Sequence, residues 1–431
     1  HFHKGLEDSI GFCHLDFEKG MRLEHCVRPG HDYRISTPNY GIVTTPKAEW
    51  QIVKESSVGP DNAETIERKN SQGRRIPNLQ NLLGLDLSRE AKLILAEALA
   101  VVLYTGPLFH LYNCILRGGK SEIFVKFKEH DNLFSTTCHV LVSAVHKIAR
   151  VTKLTPGLVL YRGLGGTVHL PSGFFTSDEH GCSGYTELGF MSTTSNREVA
   201  VEYSGVQQGK PLPIVLQFKV GSVDRGACVR DFSQYPMEVE YLFVPGSFVE
   251  QAGSQQLLVT KDGIVTIIPV RVNANLKTRT VEELKEQKKT LHLGAFKYMI
   301  YELQEDLEKI AEDNNAVARL EDDPMHDKFT VKDFLQGIVT QCKEVYNRHE
   351  RLDLERYSDD RTYHQLVLES GGINFLACSK LEEWLENKET SFLKFRMGAP
   401  LKTVHRRRID FLMSKFEQEQ QDKSDTKRDT A

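Results

Sequence analysis

Three short segments of this chain hold residue types that can handle a charged, polar ligand. In LVLYRGLGG, Arg162 closes an apolar run and is followed by Gly163, Gly165 and Gly166. A guanidinium fixed at a strand end is a bidentate anion clamp, and a backbone stripped of side chains admits a ligand closely. In LGFMSTTSNREVAVEY, a strand delivers Ser192, Thr193 and Thr194, whose hydroxyls can orient a carboxylate, while Met191 is apolar filler. In QYPMEVEYLFVPG, two-residue alternation puts Glu238, Glu240, Leu242 and Val244 on one face. Two like charges side by side in a largely buried strand cost free energy unless something cationic is handled there. Each segment also has a plainer reading: a surface arginine before a turn, a threonine-rich strand, an edge strand with acidic decoration. The glycines after Arg162 are not a dinucleotide fingerprint, because the third glycine position of G-x-G-x-x-G falls on Val168.

Order sharpens the picture. An R-G strand, an S-T-T strand about 30 residues later and an E-x-E strand about 45 further on resemble the arginine–serine–glutamate class of mono-ADP-ribosyltransferases. Upstream, AVVLYTGPLFHLYNCILR is similar to that family's helix-to-YTG segment, with Asn113 at its asparagine. The match runs from about residue 90 to 270 and is absent from both flanks. The resemblance implies an α+β fold of two packed antiparallel β-sheets with N-terminal helices, and NAD as substrate with no metal. Arg162 would hold an NAD phosphate, and the Gly163 backbone would bond the nicotinamide carboxamide. Ser192 would position Glu240, with Thr193 and Thr194 lining the same pocket. Glu240 would bond the nicotinamide ribose 2′-hydroxyl, where a fixed carboxylate stabilises oxocarbenium character.

Glu238, by the same resemblance, would orient and deprotonate the acceptor, and a first Glu implies arginine acceptors because a carboxylate pairs with a guanidinium. Phe232, Gln234 and Tyr235 of the DFSQYP loop would then contact the acceptor protein. The one departure is Thr194, where serine is usual; its hydroxyl is kept. The implied activity is transfer of ADP-ribose from NAD to protein arginine with release of nicotinamide. Hydrolysis of NAD and a weakly active partner-binding module are the alternatives. His110, near an aromatic on a helix, reads as packing.

The elements that must position these residues are legible in outline. Ser88 can cap a helix through REAKLILAEALAVVLY that Gly106 ends, and a second apolar-periodic helix covers about 132–152. Short strands rich in β-branched and aromatic residues follow: LVLYRG, LGFMSTT, PIVLQFKV, VEYLFV, and LLVT paired with IVTIIPV across the KDG turn. A short helix starts after the S-T-T strand, with Ser195 as cap and Glu198 three residues on. Residues 1–80 read as a small β-rich region and linker (YRIST, YGIVTT, WQIV), 81–275 as the catalytic domain, 276–416 as a helical domain and 417–431 as a disordered tail. In the helical domain, Thr280 and Glu283 form a capping box. Phe296, Ile300, Leu303, Leu307 and Ile310 make one apolar stripe, and Phe334, Ile338 and Val345 another. Such stripes are bundle core or a partner-binding face.

Composition narrows the classes. With 431 residues, 40% hydrophobic and 26% charged, most of the chain is expected to be globular, in more than one domain. A net charge of −4 argues against a chain built to neutralise phosphates, so no nucleic-acid partner is expected. No apolar run approaches the roughly 20 residues of a membrane helix, so no membrane partner is expected either. Basic clusters KFRMG and HRRRID read as helix-surface charge. The eight cysteines lack C-x-x-C spacing and are read as reduced thiols of a cytoplasmic protein, although His1 in first place leaves room for a removed targeting segment.

Overall fold

A computed structural model of the chain describes residues 6–37, 41–58, 65–67, 75–153, 155, 157–176, 183–220, 225–273, 279–311 and 331–386. Two compact units emerge, His1–Val281 and Glu282–Ala431.

In the first unit the helices are α1 (Glu7–Ile10), α2 (Phe17–Arg22), α3 (Pro46–Val58), α4 (Leu79–Leu83), α5 (Asp86–Glu90), α6 (Leu95–Leu103), α7 (Phe109–Arg117), α8 (Glu122–Glu129), α9 (Ser135–Val151) and α10 (Arg197–Glu202). Two hairpins, β1 (Ile35–Thr37) with β2 (Ile42–Thr44) and β3 (Thr65–Glu67) with β4 (Arg75–Pro77), precede the main strands. These are β5 (Val159–Gly163), β6 (Tyr185–Glu187), β7 (Met191–Thr194), β8 (Ile214–Lys219), β9 (Ala227–Cys228), β10 (Glu240–Phe243), β11 (Ser247–Gln251), β12 (Gln256–Thr260) and β13 (Gly263–Asn273).

The first 80 residues differ from the β-rich region expected. YRIST and YGIVTT do form the β1–β2 hairpin, but WQIV lies inside α3, where Trp50 and Val53 are buried one helical step apart. These two join Leu6, Phe17 and Met21 in the same core as Leu99 of α6 and Leu141 of α9, so the segment is part of the first unit rather than an appendage. Most of the polar stretch 59–75 lies outside the described residues.

Helix α6 starts at Leu95 rather than after Ser88. Ser88 is buried in α5 and donates to the Leu82 carbonyl (2.5 Å), and Lys92, at φ +54°, breaks the run. The Glu97 carboxylate accepts from Ile94 N (2.9 Å) and from the Lys147 ammonium (2.9 Å). Gly106 interrupts the helix, as expected. A wide turn at Tyr104–Leu108, kinked where Gly106 is non-helical and Pro107 lacks an N–H, carries the chain on into α7. The resulting run Leu95–Arg117, 23 residues, is long and apolar enough to cross a membrane by length and composition alone, where the sequence suggests no apolar run near that length. Its most apolar window is 83% buried in the core of the unit, where such a helix satisfies its apolar faces against protein.

The strands form the expected α+β arrangement, their two halves joined into one hydrogen-bonded path. The order is β6-β11-β13-β8-β5-β7-β10-β9, with β12 on β13 beside β11. The hairpin across Lys261 and Asp262 is as expected, with Thr260 opposite Gly263. The link between the two halves is narrow: β5 and β7 share one register pair, Tyr161 with Thr194. One pairing, β13 with β8, is parallel, which the long excursion between them permits.

In the second unit, helices Val281–Ala311, Val331–Glu350 and Asp360–Glu386 enclose a core of Phe296, Ile300, Leu303, Leu307, Ile338, Val339, Cys342 and Ile373. Of the stripes read from the sequence, Phe296, Ile300, Leu303, Leu307 and Ile338 are bundle core with Val345 packed against it, while the side chains of Ile310 and Phe334 lie outside the described residues. Buried His292 bonds His349 (3.1 Å), which bonds Glu369 (2.9 Å). The tail and both basic clusters lie outside the described residues.

Candidate functional site

Strand β5 ends on Arg162 and Gly163. A Cβ on Gly163 would lie 2.3 Å from the Ala200 carbonyl and 2.6 Å from Ser204 N, so the bare backbone is demanded first by α10 packing on β5. Gly165, at φ +74° with open space beside it, makes the turn that follows. Arg162 Nη1 donates to the Ser192 carbonyl (2.7 Å), its Nη2 lies 3.9 Å from Glu187 Oε2, and its Nε is buried with no hydrogen-bond partner among the described residues. The arginine thus ties β5 to β7 where their ladder is narrowest.

Strand β7 pairs with β10 so that Thr194 faces Glu240 and Ser192 faces Leu242. Cross-strand partners share a face, which puts Ser192 and Thr194 beside Glu240. The Ser192 side chain hydrogen-bonds the Glu240 carboxylate. Thr193 points to the other face and donates to the Tyr241 carbonyl (2.8 Å). After β7, Asn196 rather than Ser195 caps α10, accepting from Glu198 N (3.0 Å).

Glu238 reaches the site by a route that period-2 alternation misses. It ends a single 3₁₀ turn, Pro236–Glu238, and Val239 then adopts the left-handed region (φ +48°) before β10 begins at Glu240. That conformation is costly for a β-branched residue and is held from outside. Thr194 Oγ1 donates to the Glu238 carbonyl (2.5 Å) and Tyr203 Oη to Glu238 Oε1 (2.8 Å).

These residues meet in one cleft of about 220 Å³, open to solvent. Arg162, Gly163, Ser192, Thr193, Thr194, Glu238 and Glu240 all line it. Burial pushes the Glu240 carboxyl up to about 7; the Ser192 hydrogen bond and the Arg162 charge pull it down, while Glu238 pushes it further up. Glu238 is also raised, by burial first, with the Tyr203 hydrogen bond opposing. Any chemistry that needs ionised Glu240 should therefore switch on across neutral pH. We expect kcat/KM at saturating acceptor to rise between pH 6 and pH 8 with a midpoint near 7. A profile flat from pH 5 to 8 would show that Glu240 acts uncharged or not at all.

Two of the three DFSQYP residues are not where an acceptor could touch them. Phe232 is fully buried in the helical core, and Gln234 is fully buried, donating Nε2 to the Val102 carbonyl (2.7 Å) while its N–H donates to Thr105 Oγ1 (3.2 Å). They anchor the loop. Tyr235 is half-buried, and Met237, 83% exposed beside Glu238, is the outward residue.

Several cleft residues went unread in the sequence. Arg117 of α7 lines the cleft with 42% of its side chain exposed, against 18% for Arg162, and is the more open cation. Its signal was available, one helical turn after Asn113. Asn113 is a brace: Oδ1 accepts from Phe190 N (2.8 Å) and Nδ2 donates to Tyr104 Oη (3.2 Å). Glu187 joins both cations, accepting from Arg117 Nε (2.9 Å) and Gly189 N (3.0 Å), and their charges hold its carboxyl below the usual range against burial. Tyr203 and Glu187 carried no spacing signal, because only the fold brings them in. His110 lines the cleft too, its basicity lowered by burial and by Arg117. Among the described residues no group of three or more His, Cys, Asp or Glu could hold a metal.

The chain matches no protein-family model and no curated protein. Solved structures to which it is similar include the ADP-ribosyltransferase HopU1 of Pseudomonas syringae pv. tomato, at 20% identity and TM-score 0.34 over 55% of this chain and 98% of that one. The C3 exoenzyme of Clostridium limosum aligns at 15% identity and TM-score 0.28, over 45% and 93%. The eukaryotic mono-ADP-ribosyltransferase ART2.2 bound to NAD aligns at 14% and 0.29, over 47% and 85%.

Proposed function

We propose that this chain transfers ADP-ribose from NAD to arginine side chains of an acceptor protein, releasing nicotinamide. The observation that carries the reading is Glu240: a buried carboxylate, hydrogen-bonded by Ser192, facing the same cleft as two arginines and a second glutamate. Arg162 and Arg117 supply positive charge suited to the diphosphate of NAD, and the buried, unpartnered Arg162 Nε marks a donor with unmet capacity.

The bond that breaks joins the nicotinamide nitrogen to C1′ of its ribose, and the electron pair leaves with nicotinamide. C1′ gains oxocarbenium character, which ionised Glu240 opposes at close range in a site of low dielectric. A guanidine nitrogen of the acceptor then forms the new bond to C1′, and the proton it loses passes to Glu238. Burial raises Glu238 towards the range in which a carboxylate accepts a proton usefully. Met237 projects beside it on the acceptor side.

The test is Glu238→Gln in the full chain. Transfer to protein arginine should fall about a hundredfold, in the range of general-base losses. Nicotinamide release with water as acceptor should stay within about threefold of wild type, since Glu240, Ser192 and both arginines remain. Equal arginine labelling by variant and wild type would sink the acceptor assignment, and a wild type that releases no nicotinamide would sink the reaction.

A further inference from the structure

Tyr203 is built into the cleft more rigidly than a wall residue needs to be. It closes α10, its N–H bonding the Val199 carbonyl (3.0 Å), and its own carbonyl accepts from Gly165 N (2.9 Å). Side-chain-free Gly163 packs directly beneath it: a Cβ there would meet the Tyr203 carbonyl carbon at 2.5 Å. With the backbone clamped between α10 and the end of β5, the phenol lies along the cleft and its hydroxyl donates to Glu238 Oε1 at 2.8 Å.

Glu238 is therefore held at two points, its carbonyl by Thr194 and one carboxylate oxygen by Tyr203. Its other oxygen, Oε2, has no hydrogen bond among the described residues. The turn that presents it runs through left-handed Val239, a conformation that does not persist without such ties.

We propose that Tyr203 is the positioning residue for Glu238, fixing Oε1 so that Oε2 alone is offered to the incoming guanidine. The acceptor then engages through a single oxygen, with the nitrogen that loses its proton aimed at Oε2, rather than through a two-pronged pair. This rests on the reading of Glu238 as the acceptor carboxylate.

Tyr203→Phe removes the hydroxyl and keeps the ring, with the backbone still packed on Gly163. The probes are NAD with water as acceptor and NAD with arginine methyl ester, using the full chain, alone and in a Glu238→Gln background. We expect NAD hydrolysis within about threefold of wild type. Transfer to the guanidine should lose about tenfold in kcat/KM, most of it in KM for the guanidine, as for loss of one hydrogen bond to a charged group. In the Glu238→Gln background the same substitution should change transfer by less than about twofold, because a residue acting through Glu238 has nothing left to position.

Three results overturn the proposal: transfer unchanged by Tyr203→Phe, the same loss in both backgrounds, or hydrolysis falling as far as transfer. If Glu238→Gln lowers transfer and Tyr203→Phe does not, this inference alone fails. If Glu238→Gln leaves transfer intact, the acceptor reading fails and takes this inference with it.

Discussion

Replacing Glu240 with glutamine should lower nicotinamide release by about a hundredfold to a thousandfold, while making the folded protein more stable above neutral pH. The first half follows from charge. Glutamine keeps the size of the side chain and removes the anion that faces developing positive charge at C1′, and a preorganised electrostatic group of this kind contributes roughly 3–4 kcal/mol. The second half follows from burial. The carboxyl is raised from 4.5 to about 7 on folding, mainly by desolvation. A raised acid binds its proton more tightly in the folded state, so folding stability falls as pH climbs from about 4.5 to about 7 and stays lower above that. The loss is on the order of 3 kcal/mol at pH 8 by the size of that shift. Glutamine carries no such cost, so the variant should melt higher than wild type at pH 8 and alongside it at pH 4. Calorimetry paired with nicotinamide release checks both halves. A variant that is inactive and also less stable at pH 8 would mean that misfolding, not lost charge, explains the inactivity.

Arg162→Lys keeps the charge and should still cost about a hundredfold in kcat/KM for NAD. A guanidinium presents five donors in a rigid fork, and this one spends Nη1 on the Ser192 carbonyl while Nη2 lies near Glu187. Lysine has a single ammonium to share among those positions and the ligand. It therefore loses either the diphosphate contact or the tie that sets Ser192 against Glu240. The two losses separate in the kinetics: weaker NAD binding by calorimetry reports the first, and a lower kcat at saturating NAD reports the second. A variant within threefold of wild type in both would remove Arg162 from the site. Arg117, the more open cation, should then prove the main diphosphate contact.

What the sequence determined by itself is what local rules govern. Strand identities followed from β-branched and aromatic runs, and the β12–β13 hairpin from its turn. Helix α9 and the stripes of the second unit followed from their period. Arg162, Ser192 and Glu240 fell on strand ends, where residue type and order are enough to nominate them. The segment WQIV misled because three β-prone residues weigh less than the core that α3 enters through Trp50 and Val53. Alternation also failed at Glu238, since a left-handed Val239 is a choice made by Thr194 and Tyr203, tens of residues away. Gln234 and Phe232 looked like loop residues until the fold buried them beneath α6. Only the tertiary structure could join Arg162 and Arg117 through Glu187, or set Tyr203 on Glu238. Side-chain hydrogen bonds and burial depend on separation in space, and the periodicities of a chain carry no measure of that.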